Sequence, residues 1–172
     1  MKRATITAVP DDIRQALLRH AEAVATVRAF ADRSGAGRVV LLVDPGDGTT
    51  ATMLDCAPGG AVELTEGDAS FAIPAHTPVD AAPRQLPELR PPPATALAID
   101  PATGELEAPL GVIANLGRAV LALAAAFGGR SVATADFATR DPALPITIAA
   151  REGEPLLLAA GDRRFVLPEG VV

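Results

Sequence analysis

Strand-like runs follow one another along this chain with only a few turn-forming residues between them. Four such runs lie between Val39 and Pro74, and Pro, Gly and Asp fill the gaps, as in Pro45 to Gly48. Gaps of this kind are typical of β-hairpins. Parallel strands need a crossover of a dozen or more residues, which these gaps cannot hold. The spacing therefore predicts an antiparallel meander.

Two groups of strands and a short hairpin are predicted in this way. The first group is Val39 to Val43, Thr50 to Cys56, Ala61 to Glu66 and Ser70 to Pro74. The second group is Ser131 to Phe137, Ile146 to Arg151, Pro155 to Ala160 and Arg163 to Leu167. Between the groups, a hairpin is predicted from Thr95 to Ala108, with its turn at Pro101 to Gly104.

One helix is predicted before each group of strands. The first begins at Pro10, has apolar side chains along one side and ends at Gly35. The second runs from about Pro109 to Phe127, and its only polar side chains are Asn115 and Arg118. A helix that is apolar on all sides is normally covered on all sides. We therefore expect the second helix in the centre of the molecule and the first on its outside.

The two groups of strands also resemble each other in sequence. Residues 61–75 align with residues 155–169, with identities at Leu64/Leu158, Gly67/Gly161, Asp68/Asp162, Phe71/Phe165 and Pro74/Pro168. A shift of two residues extends the match upstream and pairs Arg38 with Arg130 and Asp44 with Asp136. Self-similarity at a fixed period indicates repeated units, so we interpret the match as internal duplication of an α-β-β-β-β unit. The alternative is that alanine-rich hairpins with Gly-Asp turns resemble one another anyway.

A proline-rich segment separates the two units. Seven of the twenty residues from Pro74 to Pro93 are proline, which cannot donate to a β-ladder and favours extended backbone. We interpret residues 1–75 as the first αβ repeat, 76–108 as a strap with a short hairpin, and 109–172 as the second repeat. Together they form one compact domain. The predicted fold class is α+β, with antiparallel meander sheets and two main helices.

The composition excludes several kinds of chemistry. The 172 residues are enough for one domain with a sizeable core. The only lysine is Lys2, so neither a phosphate-binding Walker loop nor a buried Schiff-base amine is available. The chain has no Trp or Tyr, and none of its three serines, Ser34, Ser70 and Ser131, lies in a Gly-x-Ser-x-Gly elbow.

The charge pattern argues against nucleic acid and membrane partners. The formal net charge is −6, the chain has no basic cluster, and its only aromatic residues for base stacking are five phenylalanines. The longest apolar stretch, Pro109 to Gly128, carries Arg118 near its middle, which is costly inside a bilayer. No apolar run follows Lys2 and Arg3, so we expect no signal peptide. The single cysteine fits a reducing compartment, and we expect a cytoplasmic protein.

Three sets of residues are candidates for chemical sites. Cys56 and His76 would form a nucleophile and its base if they met, but a lone cysteine on a strand is more often a small core residue. His20 has no second ligand at metal-binding spacing, and we interpret it as a boundary residue of the first helix. The acidic residues Asp44, Asp47 and Asp55 lack the pattern of a calcium loop, which favours a plain hairpin turn.

Two further features carry a functional and a structural interpretation each. The functional interpretation is a symmetric polar site formed by Arg38, Arg130, Asp44 and Asp136. The structural interpretation is that these charged residues mark strand ends or form a cross-strand ion pair. Residues Pro87 to Pro93 match a polyproline ligand with a flanking arginine, or serve as a rigid strap between the halves. We favour the structural interpretation of both.

The sequence therefore favours a non-catalytic binding or scaffold module that acts through protein association, either with a protein partner or with itself. It assigns no catalytic residue, no metal ligand and no cofactor. The alternative is a small-molecule-binding protein or an enzyme with a pocket between the two repeats, lined by arginine and aspartate. A deep pocket with converging polar side chains would favour this alternative, whereas a flat apolar surface would favour association.

Overall fold

The structure is a computed structural model that describes residues 10–141, 144–165 and 167. In this part of the chain, two α-helices and an eight-stranded antiparallel sheet make up the bulk of the fold, and a small hairpin lies apart from them. The first half contains α1 (Asp11–Ser34), β1 (Arg38–Val43), β2 (Thr52–Cys56), β3 (Val62–Glu66) and β4 (Ala69–Ile73). A 3-10 turn (Ala94–Ala96) and the hairpin of β5 (Ala98–Ile99) and β6 (Leu106–Glu107) follow. The second half contains α2 (Leu110–Ala125), β7 (Val132–Phe137), β8 (Ile146–Arg151), β9 (Leu157–Ala160) and β10 (Arg163–Phe165).

The α+β class and the antiparallel pairing predicted from the sequence are confirmed. Both helices and all eight strands of the large sheet occur within two residues of their predicted ends. Gly35 ends α1 in the left-handed conformation, with φ 77°, which a residue without Cβ adopts easily. The turn residues and the hydrophobic periods were therefore sufficient to locate the elements.

The strands form one continuous sheet rather than separate meander sheets. Its order is β10-β9-β8-β7-β1-β2-β3-β4, so each half is a meander and the two meanders join at β1 and β7. These two central strands are antiparallel, and Val40 of β1 lies opposite Thr134 of β7. The join is a full hydrogen-bonded ladder, which leaves no cleft between the two halves of the sheet.

The elements of the two halves occur at closely similar spacing. Strands β1, β2 and β4 begin at residues 38, 52 and 69, and β7, β8 and β10 begin at 132, 146 and 163, in each case 94 residues later. The turns agree as well, because Gly60 N–H donates to Ala57 O at 3.0 Å and Glu154 N–H donates to Arg151 O at 3.1 Å. The shift of two residues that pairs Arg38 with Arg130 does not follow the strands, since Arg38 begins β1 whereas Arg130 precedes β7.

The core lies between the sheet and the helices. Strand side chains that point toward the helices are buried, as at Val39 and Leu41 in β1 and at Ile146 and Ile148 in β8. Helix α1 packs on the strands of the first half, and α2 packs chiefly on β7 and β8. Both helices therefore cover the same face of the sheet, each over its own half.

The central position expected for α2 is wrong. Helix α2 lies in the outer layer, over β7 and β8, and it exposes Asn115, Arg118 and 60% of Leu110. The apolar appearance of this helix comes largely from small residues such as Ala122 and Ala125, which are only half-buried. Leaving small apolar side chains partly in water is common on protein surfaces, so the composition did not require complete cover.

Candidate functional site

The proline-rich strap lies along α1 and is held there by hydrogen bonds. Arg28 of α1 donates from its guanidinium to the main-chain oxygens of Thr77 and Pro74, both at 2.8 Å. Further along, the Arg84 main-chain N–H donates to Thr26 Oγ1 at 2.9 Å. Because the strap forms no β-ladder, its backbone groups need other hydrogen-bond partners, and side chains of α1 supply them.

Arg84 connects the strap to both helices. Its guanidinium pairs with Glu22 of α1, with Nε 2.7 Å from Oε1, and this hydrogen bond lowers the pKa of the Glu22 carboxyl. The same guanidinium lies 4.4 Å from the centroid of the Phe127 ring, just beyond the end of α2. The strap then reaches the end of α1, where a Cβ atom built on Gly35 would stand only 2.7 Å from Pro91 Cβ. These contacts fix the path of the strap across the helical layer.

A groove of about 820 Å³ runs between α1 and the strap. Its helix wall consists of residues three or four positions apart, which share one side of α1: Thr26, Ala29, Phe30, Arg33 and Ser34. Its strap wall consists of residues 83–90. This volume falls within the range of small-molecule sites, about 300–1,000 Å³. The groove is thus large enough to hold a small organic ligand.

Two arginines stand at the same end of the groove. Arg33 comes two residues before Gly35, Arg90 comes one residue before Pro91, and Gly35 and Pro91 are in contact. Neither guanidinium forms a hydrogen bond or an ion pair with any of the residues that the structure describes. Glu88 also lines the groove. The result is a cationic end beside apolar walls.

The second candidate surface is the face of the large sheet that points away from the helices. In the described chain, both helices pack on the opposite face and leave this one open, and we call it the open face. Its side chains are exposed or half-buried, with Leu157 65% and Met53 40% exposed. Apolar residues form a band across its five central strands, interrupted by Asp55, Thr134 and Arg151: Val40, Leu42, Met53, Val132, Ala149, Leu157 and Ala159.

Two residues of the predicted symmetric polar site meet on the open face. Arg38 pairs with Asp55 across β1 and β2, with Nε 3.0 Å from Oδ1, and it lies opposite Asp136 in the central ladder. The hydrogen bond to Asp55 raises the pKa of the Arg38 guanidinium. Thr147 Oγ1 donates to Asp136 Oδ1 at 2.6 Å. Arg38 therefore forms a cross-strand ion pair, but its partner is Asp55, which was not in the predicted set.

The other two residues of that set meet through their backbones. Arg130 N–H donates to Asp44 O at 2.7 Å, and Asp44 N–H donates to Ser131 Oγ at 3.1 Å. The Asp44 carboxylate accepts the Gly46 N–H at 3.0 Å, within its own turn. These contacts secure the end of the central ladder, and they do not form a second charged pair like that of Arg38.

The three acidic residues considered as a calcium loop, Asp44, Asp47 and Asp55, each have a partner within the protein. Asp44 accepts a hydrogen bond from the Gly46 N–H, and Asp55 forms an ion pair with Arg38. Asp47 accepts hydrogen bonds from both the N–H and the hydroxyl of Thr49, and these bonds lower the pKa of the Asp47 carboxyl. Among residues 10–141, 144–165 and 167, no three His, Cys, Asp or Glu side chains are grouped so as to hold a metal ion. Asp44 and Asp47 thus belong to the turn between β1 and β2, and Asp55 belongs to β2 itself.

Cys56 and His76 differ in their surroundings. Cys56 is buried on the helix side of β2, its thiol donates to Ala57 O at 3.2 Å, and burial raises the pKa of the thiol. His76 lies exposed at the start of the strap. No hydrogen bond between them occurs in the described part of the chain. A thiol with a raised pKa carries little thiolate at neutral pH, which is unfavourable for a nucleophile.

His20 is a half-buried residue of α1 that contacts the sheet. Its Nε2 forms a short hydrogen bond to Glu66 Oε2 at the end of β3, and the Arg19 guanidinium lies 3.1 Å from the other oxygen of the same carboxylate. The backbone of His20 departs from helical geometry, with φ −124° and ψ 22°, which marks a kink in α1. The residue thus joins helix to sheet at the kink.

The sequence did not reveal the groove. The alternative hypothesis had placed a pocket between the two repeats, but β1 and β7 are hydrogen-bonded there, and the cavity lies between α1 and the strap instead. The path of a segment without periodicity cannot be derived from its sequence. The one available signal was the spacing of Thr26, Phe30 and Arg33 on a single side of the first helix.

Comparison of the chain with models of protein families, with curated proteins and with solved structures finds no match to any of them. Among the described residues, neither helix combines the length and the apolar character that crossing a bilayer requires. Functional inference therefore depends on the two surfaces themselves.

Proposed function

We propose that this protein is a non-catalytic binding module that acts through protein association, and that its binding surface is the open face of the sheet. The observation that carries the proposal is the apolar band across the five central strands, on a face that neither helix covers. A sheet normally buries an apolar face against another layer. The occupant that we propose is a second copy of this chain, packed sheet to sheet.

The dimensions of the open face are sufficient for such a dimer. Eight strands at a spacing of about 4.8 Å span about 34 Å, and strands that average about five residues are about 17 Å long. One face therefore offers about 600 Å², and two copies would bury about 1,200 Å² together. Specific, stable interfaces begin at about this size. Sheets that pack face to face keep their strands within about 30° of parallel.

The charges on the open face favour contact between copies. On the half formed by β1 to β4, Asp55 and Glu63 outweigh Arg38, which gives a net negative charge. On the half formed by β7 to β10, Arg151 and Arg164 outweigh Asp136, which gives a net positive charge. A two-fold axis parallel to the central strands would place the acidic half of one copy over the basic half of the other.

The edges of the sheet are less suitable for association than its face. Strand β4 is followed directly by Pro74, and β10 carries the charged residues Arg163 and Arg164. Proline and charged side chains at an edge hinder the addition of a further strand. Association through the face therefore has the stronger physical basis.

The chemistry of the described residues favours binding over catalysis. The one thiol is buried and its pKa is raised, and the acidic residues considered as ligands already accept hydrogen bonds from the protein. We therefore assign no catalytic residue, metal or cofactor to the proposed function, and we propose no contact with nucleic acid or membrane. A single cysteine agrees with a reducing compartment, and the cytoplasm is the proposed location.

We also propose that the two halves arose by duplication of one α-β-β-β-β unit. The separation of 94 residues between three pairs of strands supports this proposal, as does the identical hydrogen bond in the turns after β2 and β8. An experimental structure tests it by superposition of residues 38–73 on residues 132–165. A poor fit of the two strand sets would remove the proposal.

Sedimentation equilibrium of the wild-type protein and of two variants tests the association. Leu157→Asp introduces a charge into the apolar band of the open face, where the side chain is 65% exposed. Leu18→Asp introduces the same charge on α1, where the side chain is 69% exposed. Because the residue type and the exposure match, only the surface differs between them.

The proposal predicts a dimeric wild type, a monomeric Leu157→Asp variant and a dimeric Leu18→Asp variant. Circular dichroism and thermal unfolding establish that each variant is folded. A monomeric wild type at concentrations up to about 100 µM would contradict self-association, because stable interfaces of this size bind more tightly than that. A dimer that Leu157→Asp leaves intact would contradict the open face as its interface.

A further inference from the structure

We infer that the groove between α1 and the strap is a binding site for a small organic anion with an apolar chain, such as a carboxylate of medium length. This site is separate from the proposed association surface, because α1 and the strap lie on the helix side of the sheet. The inference rests on the charge at one end of the groove, on its apolar walls and on its size.

The charge distribution selects an anion. Arg33, Arg84 and Arg90 line the groove against a single acidic side chain, Glu88, in a protein whose formal net charge is −6. Arg84 is already paired with Glu22. Arg33 and Arg90 have no partner among the residues that the structure describes, and both stand beside the contact of Gly35 with Pro91. Both guanidinium groups are therefore available to pair with a carboxylate bound in the groove.

The remainder of the groove selects an apolar chain. Phe30 on the helix wall is buried, and Leu86 and Leu89 on the strap wall are half-buried against the core. A carboxylate at the arginine end would leave its chain to extend between these side chains. The volume of about 820 Å³ exceeds what a short aliphatic chain occupies, so the groove does not exclude such a ligand by size.

Isothermal titration calorimetry with sodium decanoate, below its micelle concentration, tests the site. We expect one saturable site per chain in the wild type. Arg90→Gln removes one cation from the strap wall and should weaken binding about tenfold or more, as expected for loss of a charge-assisted hydrogen bond. Arg33→Gln should weaken it similarly. Arg118→Gln removes an exposed arginine of α2 outside the groove and should leave the affinity unchanged.

Changes to the ligand separate the two parts of the site. Decanol, with the same chain and no charge, should bind at least tenfold more weakly than decanoate, and a trimethylammonium ion with a decyl chain should not bind. Shortening the carboxylate should weaken binding by up to about fourfold for each methylene group removed.

The following results would overturn the inference. Equal affinity for decanoate and decanol would show that the arginines do not recognise the anion. Unchanged binding by Arg90→Gln and Arg33→Gln would place the ligand elsewhere, and absence of heat at millimolar decanoate, confirmed by unchanged NMR spectra, would remove the site. A binding defect in Leu157→Asp but not in Arg90→Gln would assign the ligand to the open face. None of these results bears on dimerisation measured without ligand.

Discussion

Val40 of β1 lies directly opposite Thr134 of β7 in the central ladder of the sheet. These two residues are 94 positions apart, the same separation that relates the first residue of β1 to that of β7. Each is therefore the counterpart of the other in its own half. The strand order agrees with this, because β1 and β7 are each the first strand of their own meander and both stand at the centre of the sheet. Both side chains point to the middle of the open face.

The turn after α2 is predicted to tolerate a side chain at one glycine and not at its neighbour. Gly128 and Gly129 both have a left-handed backbone, with φ 62° and 58°, so alanine should cost about 1 kcal/mol at either from backbone strain alone. A Cβ at Gly129 would stand 2.4 Å from Asp44 O, whereas a Cβ at Gly128 would meet nothing within 4 Å. Gly129→Ala should therefore lose about 1–3 kcal/mol more than Gly128→Ala in urea unfolding. Equal losses would show that the β1–β2 loop does not approach this turn.

Arg84 is predicted to hold the strap in place. Arg84→Gln weakens the pair with Glu22 and removes the charge above the Phe127 ring. Hydrogen exchange followed by mass spectrometry should then show faster exchange in peptides that span residues 78–92. Arg90→Gln is the matched control, because Arg90 lies on the same strap and its guanidinium has no partner in the described chain. The same exchange in wild type and Arg84→Gln would mean that the strap is held by other contacts.

Glu66 is predicted to make folding stability depend on pH. The hydrogen bond from His20, with a further contribution from Arg19, holds the pKa of the Glu66 carboxyl below its ordinary value. A carboxyl with a lowered pKa stabilises the fold above its unfolded pKa, and this stabilisation is lost as the pH falls through the folded pKa. Between about pH 5 and pH 3 the melting temperature of the wild type should therefore fall further than that of Glu66→Gln. We expect a difference of about 1–3 °C, because solvent screens the charge of a carboxylate at the protein surface. Glu63→Gln, on the same strand, should follow the wild type, and parallel curves for all three proteins would contradict the prediction.

The elements of the fold could be predicted from local sequence features. Gly35 ends α1, and the turn residues from Pro58 to Gly60 separate β2 from β3, because turns and helix ends require particular backbone conformations. The position of α2 could not be predicted in the same way. Its alanines made it resemble a central helix, although Asn115 and Arg118 already marked the side that is exposed.

The candidate surfaces depend on contacts between distant parts of the chain. The groove exists because Arg84 and Pro91 of the strap lie against α1, and no local pattern specifies that contact. The open face exists because α1 and α2 both pack on the opposite face of the sheet. The side-chain alternation of the strands indicated two faces, but it did not show that both helices would lie on the same one.

Cross-linking at the centre of the open face tests the proposed association most directly. Cys56 is buried, so Thr134→Cys adds one half-buried thiol at the centre of the open face, where β7 pairs with β1. A short bis-maleimide should then join two copies of this variant into a covalent dimer at micromolar concentration. The same reagent should leave the wild type and Asn115→Cys, on the exposed side of α2, as monomers on a denaturing gel. Efficient dimer formation by Asn115→Cys and none by Thr134→Cys would contradict association through this face.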